Sequence, residues 1–284
     1  MAETNTPLGI VNLWSRATDV TTLTECQMKY ALSRLYDRDA ETGYFISGTA
    51  GHLYASERLE GATPEAAWEV AELYMIEELR LAAANGKEVR WTKKRPAEDA
   101  FETLRELCQR WESDLGPLYF DQGWHPVGIE HTTTAEVDGV PVSTQIDSIW
   151  MRDNGTYQIV DWKFGATAKA NPMQLHIYGW AARHCSTSPI YGVPAEYVGL
   201  VFHHTAFSKQ QEVDFMSDPY VVALLQWATR QKEDMVKTGF APAKPDWYCD
   251  YCLYQSHCPI YDGDLTEIAD LLQSAGIEER PTEV

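Results

Sequence analysis

The stretch HPVGIEHTTTAEVDGVPVSTQIDSIWMRDNGTYQIVDWKFG, residues 125–165, decides the fold class. Three runs rich in β-branched and aromatic residues are separated by Asp138-Gly139 and Asn154-Gly155, which are tight-turn signals. They read as three neighbouring strands of an antiparallel meander. Asp147 follows an apolar alternation in STQIDSIW, and Asp161 ends the apolar run YQIVD with Lys163 two residues on. Side chains alternate faces along a strand, so Asp161 and Lys163 point the same way and Asp147 can face them across the hairpin. Two carboxylates and an ammonium gathered near a sheet edge suit a hard divalent ion such as Mg²⁺ or Mn²⁺. Such an ion can polarise a phosphodiester, and Lys163 can position water or stabilise developing negative charge. The bare acid-x-Lys triplet also fits an exposed strand face carrying a salt-bridged pair.

Upstream of the strands the pattern is helical. Residues 18–40 read as one helix, with Thr24 as a candidate start and Tyr30, Leu32 and Leu35 on its apolar side. GYFISGTAGHLYASERLEG (43–61) reads as a glycine-containing approach to a helix carrying His52. Thr63 then caps a helix with Pro64 at its first position and Asn85-Gly86 at its end. Residues 96–114 read as another helix. The region of about 18–116 is therefore expected to be a helical N-terminal part and insert with no strands of its own. Downstream, Asn171-Pro172 opens the helix PMQLHIYGWAARH, and AEYVGLVFHH (195–204) reads as a further strand, so the sheet core is placed at about 125–205. Residues 218–238 read as a helix leading into a cysteine-rich segment, which extends the C-terminal part to about 262. A short helix follows from Asp264, with Glu267 completing a capping box and Gly276 at the end. The expected organisation is one domain over 1–276, with 277–284 a disordered tail.

The chain has 284 residues, with 23 Lys and Arg against 42 Asp and Glu, for a formal net charge of −19. That balance argues against a nonspecific coat on nucleic acid or anionic membrane, while screening leaves room for a local basic groove. Lys93-Lys94-Arg95 is a basic run that reads as a solvated loop, or as a patch that DNA approaches. Ten tryptophans and fifteen tyrosines offer candidate stacking platforms for single strands, although most belong in a core. No stretch approaches the length of a membrane span, and MAETNTPLGIVNLWSRA lacks the pattern of a secretory signal, so the expected compartment is the cytoplasm (the host's, for a phage protein).

Cys249, Cys252 and Cys258 fall in PDWYCDYCLYQSHCP with the spacing C-x2-C-x5-C, and Cys26 is the candidate fourth ligand. Four thiolates suit tetrahedral zinc or an iron–sulfur cluster, and spacing alone leaves both open. Cys108 and Cys185 lie in helical patterns and read as small buried hydrophobes. The histidines His203, His204 and His257 carry no functional reading.

Taken in order, these motifs resemble the RecB-like nucleases of the PD-(D/E)XK superfamily, most of all the iron–sulfur branch that includes the CRISPR-associated exonuclease Cas-four and the nuclease domain of AddB. The resemblance runs from TDVTTLTECQMKY (Cys26) through GTAGH (His52), QIDSI (Asp147), VDWKFG (Asp161 and Lys163) and QLHIY (Gln174 and Tyr178) to the triple-cysteine segment. It departs at Thr144 and Gln145, where the family often carries glycine and a basic residue. The resemblance implies a restriction-endonuclease-like mixed sheet flanked by helices. A 4Fe–4S cluster on Cys26, Cys249, Cys252 and Cys258 would join the N- and C-terminal segments. It implies Mg²⁺ or Mn²⁺ held by His52, Asp147, Asp161 and the Trp162 carbonyl, with Lys163 orienting the attacking water and Gln174 and Tyr178 near substrate. The implied activity is a metal-dependent DNA exonuclease preferring single strands, with protein partners in recombination, repair or CRISPR adaptation. The competing reading is an iron–sulfur DNA-end-binding or assembly protein with little cutting.

Overall fold

The computed structural model describes residues 11–12, 15–91, 96–165, 170–261, 263–274 and 277–278. In chain order they form β1 (Val11–Asn12), β2 (Ser15–Arg16), α1 (Ala17–Glu25), α2 (Gln27–Leu35), β3 (Ala40–Thr42), α3 (Gly43–Leu59) and α4 (Pro64–Ala84). Next come β4 (Glu88–Arg90), α5 (Ala100–Leu118), β5 (His125–Val137), β6 (Val140–Met151), β7 (Tyr157–Lys163) and α6 (Pro172–His184). The chain continues through β8 (Val198–His204), β9 (Lys209–Val213), α7 (Asp218–Thr238), α8 (Leu265–Ser274) and β10 (Ile277–Glu278). No described helix is long and apolar enough to cross a membrane. Lys93-Lys94-Arg95 and Gly276 lie outside the described residues.

The contacts divide the chain into two compact units: residues 1–39, 134–143 and 217–284, and residues 40–133 and 144–216.

In the first unit, the single helix expected over 18–40 is two helices. Cys26 breaks it, with an extended backbone (φ −159°, ψ 114°), and its sulfur accepts the Lys29 N–H to cap α2. Thr24 is not a start. α1 begins at Ala17, where the Arg16 N–H donates to the Asp19 carboxylate. Asp19 also pairs with Arg34 and, at 3.4 Å, with the fully buried Lys232 of α7. Burial disfavours the Lys232 ammonium more than Asp19 supports it, and its pKa falls to about 8. Asp264 Oδ1 accepts the Thr266 and Glu267 N–H groups at the start of α8, while the Glu267 carboxylate expected to complete a capping box accepts the Tyr36 hydroxyl. The strand β10 (Ile277–Glu278) runs parallel to β1, and the rest of the segment 277–284 lies outside the described residues.

The second unit carries a mixed sheet flanked by helices. β6 and β7 are antiparallel, β7 and β8 parallel, and β8 and β9 antiparallel, while β5 pairs with β6. The expected meander is present. The parallel step between β7 and β8 is bridged by α6, whose first turn is capped by Asn171. Both turn signals hold: Asp138 and Gly139 take φ of 51° and 76°, and Gly155 takes 80°. Thr63 and Pro64 open α4 as expected. The helix expected at 96–114 starts at Ala100, after a short 3₁₀ turn over Ala97–Asp99. The insert does contain strands, because β3 and β4 pair in parallel. They are three residues each, and β9 reads KQQEV, so none has the apolar alternation that would announce it. Helices α3, α4 and α5 bury Ala50, Tyr54, Ala71, Met75, Leu104 and Trp111 against Trp150, Val160 and Trp162 of the sheet. Behind Trp162, the His203 ring bonds Asp114 at 3.0 Å and Tyr119 at 3.3 Å, a satisfied buried network.

Candidate active site

Asp147 is the hub. Its Oδ2 accepts the Trp162 N–H at 2.7 Å and lies 3.2 Å from His52 Nδ1. The strand pair β6–β7 sets the first contact, and α3 delivers the second. Two close approaches in the motif GTAGH fix where α3 lies. A Cβ on Gly51 would stand 2.4 Å from the Phe164 ring, so only glycine lets the end of β7 pack there. The same Phe164 meets the His52 ring edge-on at 5.7 Å.

Asp161 and Lys163 share a face of β7, as alternation requires, and Lys163 Nζ lies 2.6 Å from Asp161 Oδ2. The exposed-pair reading of this triplet fails for the carboxylate, which is buried at 1% exposure. Lys163 Nζ also donates to Gln174 Oε1 at 3.4 Å, and Gln174 Nε2 donates to the buried Tyr178 hydroxyl at 2.6 Å. Gln174 and Tyr178 are one helical turn apart on α6, so a short chain of hydrogen bonds orients the lysine from behind.

A residue the sequence reading passed over completes the group. Glu130 of β5 offers a carboxylate oxygen, and the ligand atoms of His52, Glu130 and Asp147 all lie within 4.8 Å of one another. Glu130 takes φ 42° in the middle of a strand, a left-handed conformation that costs a non-glycine residue energy and re-aims its side chain. Gln145 Nε2 steadies it at 2.8 Å. The signal for Glu130 was present in the sequence: counting outward from the Asp138-Gly139 turn puts Thr133 opposite Thr144 and Glu130 opposite Asp147. The two threonine hydroxyls are 2.8 Å apart.

The crowding of acids shapes the protonation. Burial works against a charged His52, but Asp147 and Asp161 outweigh it and raise its pKa to about 9. Burial and the Asp147 charge raise Glu130 to about 7. Burial pushes Asp161 up, whereas for Asp147 the same effect is overcome by His52, Lys163 and the Trp162 N–H, which hold it below the usual carboxylate range. Oxygen-rich donors with one imidazole, partly neutralised by protons, fit a hard divalent ion that would displace those protons.

Four of the six cysteines lie in the first unit. Cys26 caps α2, while Cys249, Cys252 and Cys258 sit among short 3₁₀ turns over Trp247–Tyr251 and Gln255–His257. Burial raises the thiol pKa values of Cys252 and Cys258, and the nearby sulfurs, Cys26 among them, raise them further. Asp39 anchors the loop by accepting the Ser256 N–H and by donating its own N–H to the Leu253 carbonyl. His257 stacks on Tyr36 at 3.9 Å. Cys108 is buried within α5, and Cys185 is buried at the extended residue that ends α6.

The fold is a mixed sheet flanked by helices, and it carries a group of donors that could hold a divalent ion. The chain belongs to the PD-(D/E)XK nuclease superfamily, whose family model matches residues 16–259. Nucleases of this family act on nucleic acid with divalent metal ions. No curated protein matches the chain. Two solved structures are loosely similar. The protein SSO0001 is 17% identical with a TM-score of 0.36, over 85% of this chain and 95% of its own. A Eubacterium rectale protein with a provisional exonuclease assignment is 13% identical with a TM-score of 0.48, over 89% and 92%.

Proposed function

We propose that the protein is a Mg²⁺- or Mn²⁺-dependent DNA exonuclease that prefers single strands and carries a structural 4Fe–4S cluster. The observation that carries the reading is the convergence of His52, Glu130, Asp147 and Asp161 beside Lys163 on one face of the second unit's sheet. His52, Glu130, Asp147, Asp161 and the Trp162 carbonyl would hold the ion, which supplies charge neutralisation at the phosphodiester and lowers the pKa of water. Lys163, fixed by Asp161 and Gln174, orients the attacking water and offsets charge that builds on the phosphate oxygens. Tyr178 holds Gln174, so the pair acts on Lys163 rather than on the reacting atoms.

The cluster reading rests on four thiols within electrostatic reach of one another, in a loop locked by Asp39. Its role is structural, tying the α2 start to the C-terminal loop. An iron–sulfur cluster on four thiolates suits a reducing cytoplasm, and recombination, repair or CRISPR adaptation are the settings in which such an enzyme would meet protein partners.

The deciding experiment is digestion of end-labelled single and double strands with Mg²⁺, Mn²⁺ or EDTA, using anaerobically purified protein. Metal-dependent shortening from an end supports the reading. Tight binding to ends with no shortening under any metal would overturn it in favour of an end-binding protein. Zinc in place of iron and sulfide would overturn the cluster.

A further inference from the structure

The start of α3 carries two large aromatic side chains that stand half-exposed. Tyr44 is 45% exposed and Phe45 49% exposed, and their rings pack against each other at 4.4 Å. Both lie in the same unit as the metal-ligand cluster, on the helix that carries His52. Phe45 and His52 are seven residues apart, so they lie along one line of the helix, roughly 10 Å apart along its axis. Tyr44, Gly48 and His52 step along the same face at intervals of four.

Gly48 sits on this face between the aromatic pair and the histidine. The three glycines of α3 differ in a telling way. A Cβ on Gly43 would strike the Trp91 ring at 2.2 Å and one on Gly51 would strike Phe164, whereas one on Gly48 meets nothing within 4 Å. Packing therefore explains Gly43 and Gly51 but not Gly48, which weakens the helix by about 1 kcal/mol relative to alanine. What Gly48 does provide is a low, open floor between the aromatic rings and His52. The Trp91 ring packs onto Gly43, the residue before the pair. The first turn of α3 has no acidic residue and no side-chain cap, so its positive end favours a phosphate.

We infer that Tyr44 and Phe45 form a stacking platform for a base of a DNA single strand, with the backbone running over Gly48 to the bond cleaved at His52 and Asp147. At a stacked rise of about 3.4 Å per nucleotide, the platform engages a base about three nucleotides from that bond. Duplex DNA keeps its bases inside and cannot present one, so the platform is a source of single-strand preference. The inference rests on the proposed nuclease function and names how that site holds its substrate.

The test crosses two proteins with two strands, measured by anisotropy in EDTA so that nothing is cut. A labelled oligothymidylate and an abasic strand of equal length are titrated with the wild-type chain and with a Tyr44→Ala/Phe45→Ala variant. Stacking predicts that the variant loses roughly five- to a hundredfold affinity for oligothymidylate and almost none for the abasic strand. Phe45→Trp should keep wild-type binding, and Tyr197→Ala, at an exposed aromatic in the 3₁₀ turn just before β8, should leave it unchanged. Gly48→Leu should raise thermal stability while weakening strand binding, a split that a purely structural glycine would not give. Equal losses for both strands, or no loss for either, would overturn the platform. A wild-type protein that binds neither strand and cuts neither would instead sink the nuclease reading.

Discussion

At the residue scale the site turns on which groups carry protons before a metal arrives. An ion needs His52 neutral and Glu130 ionised, but the metal-free site holds His52 protonated up to about pH 9 and Glu130 up to about pH 7. Metal binding therefore releases protons. The sign follows: Mn²⁺ affinity should rise as pH climbs from below about 7 towards about 9, and flatten beyond. Calorimetry in two buffers of different ionisation enthalpy reads the released protons directly, and a pH-independent affinity would exclude His52 and Glu130 as ligands. Lys163→Ala should lower turnover by orders of magnitude with strand binding nearly intact, because its charge matters most in the transition state. Asp147→Asn and Asp161→Asn should each abolish cleavage without adding to one another, since one ion site is lost in either case. Gln174→Ala should cost less than Lys163→Ala, because it only loosens the lysine. Asp147, Asp161, Lys163 and His52 could be read directly from motifs. Glu130 could not, because a glutamate in a polar alternation looks like any solvated strand residue until the hairpin register is counted.

At the element scale α3 is positioned by what it lacks. Gly51→Ala puts a methyl group 2.4 Å from the Phe164 ring, which must force α3 away from the end of β7. Overpacking of this kind costs about 1–3 kcal/mol, and His52 moves with the helix. Urea unfolding should show the loss of stability, and cleavage should fall further than stability alone explains. A variant with unchanged midpoint and activity would show that the contact gives way freely. The elements that could be read in the sequence were those with strong local grammar. Thr63-Pro64, Asn171-Pro172 and the two turn dipeptides each name a boundary by their own chemistry. The break at Cys26 has no such mark, because a cysteine sulfur standing in for a capping hydroxyl carries no propensity signal. β3, β4 and β9 are short and polar, and pairing with a neighbour defines them more than their own composition does.

For the whole molecule, Cys26, Cys249, Cys252 and Cys258 fall in one unit and the candidate metal-binding group of His52, Glu130 and Asp147 in the other. Anaerobically purified protein should be brown, and Ala at any of positions 26, 249, 252 or 258 should bleach it and lower its melting temperature, while Cys108→Ala and Cys185→Ala keep the colour. Colourless wild-type protein with stoichiometric zinc would overturn this. The first unit also buries Lys232 against Asp19. Asp19→Ala strands that ammonium, and also Arg34, without their carboxylate. It should destabilise the protein by about 3–5 kcal/mol in denaturant titration, whereas a loss below about 1 kcal/mol would mean that water already reaches Lys232.

The packing behind Trp162 has an optical consequence. Its indole meets Trp111 at 5.4 Å and 78°, and Trp150 at 6.4 Å and 79°. Indoles held this close and out of plane with one another exchange excitation energy, so the folded second unit should give a paired positive and negative band in circular dichroism that Trp162→Phe removes. Because Asp147 holds the Trp162 backbone, loading the neighbouring site should shift Trp162 emission, and the protein carries its own dye for titrating the metal.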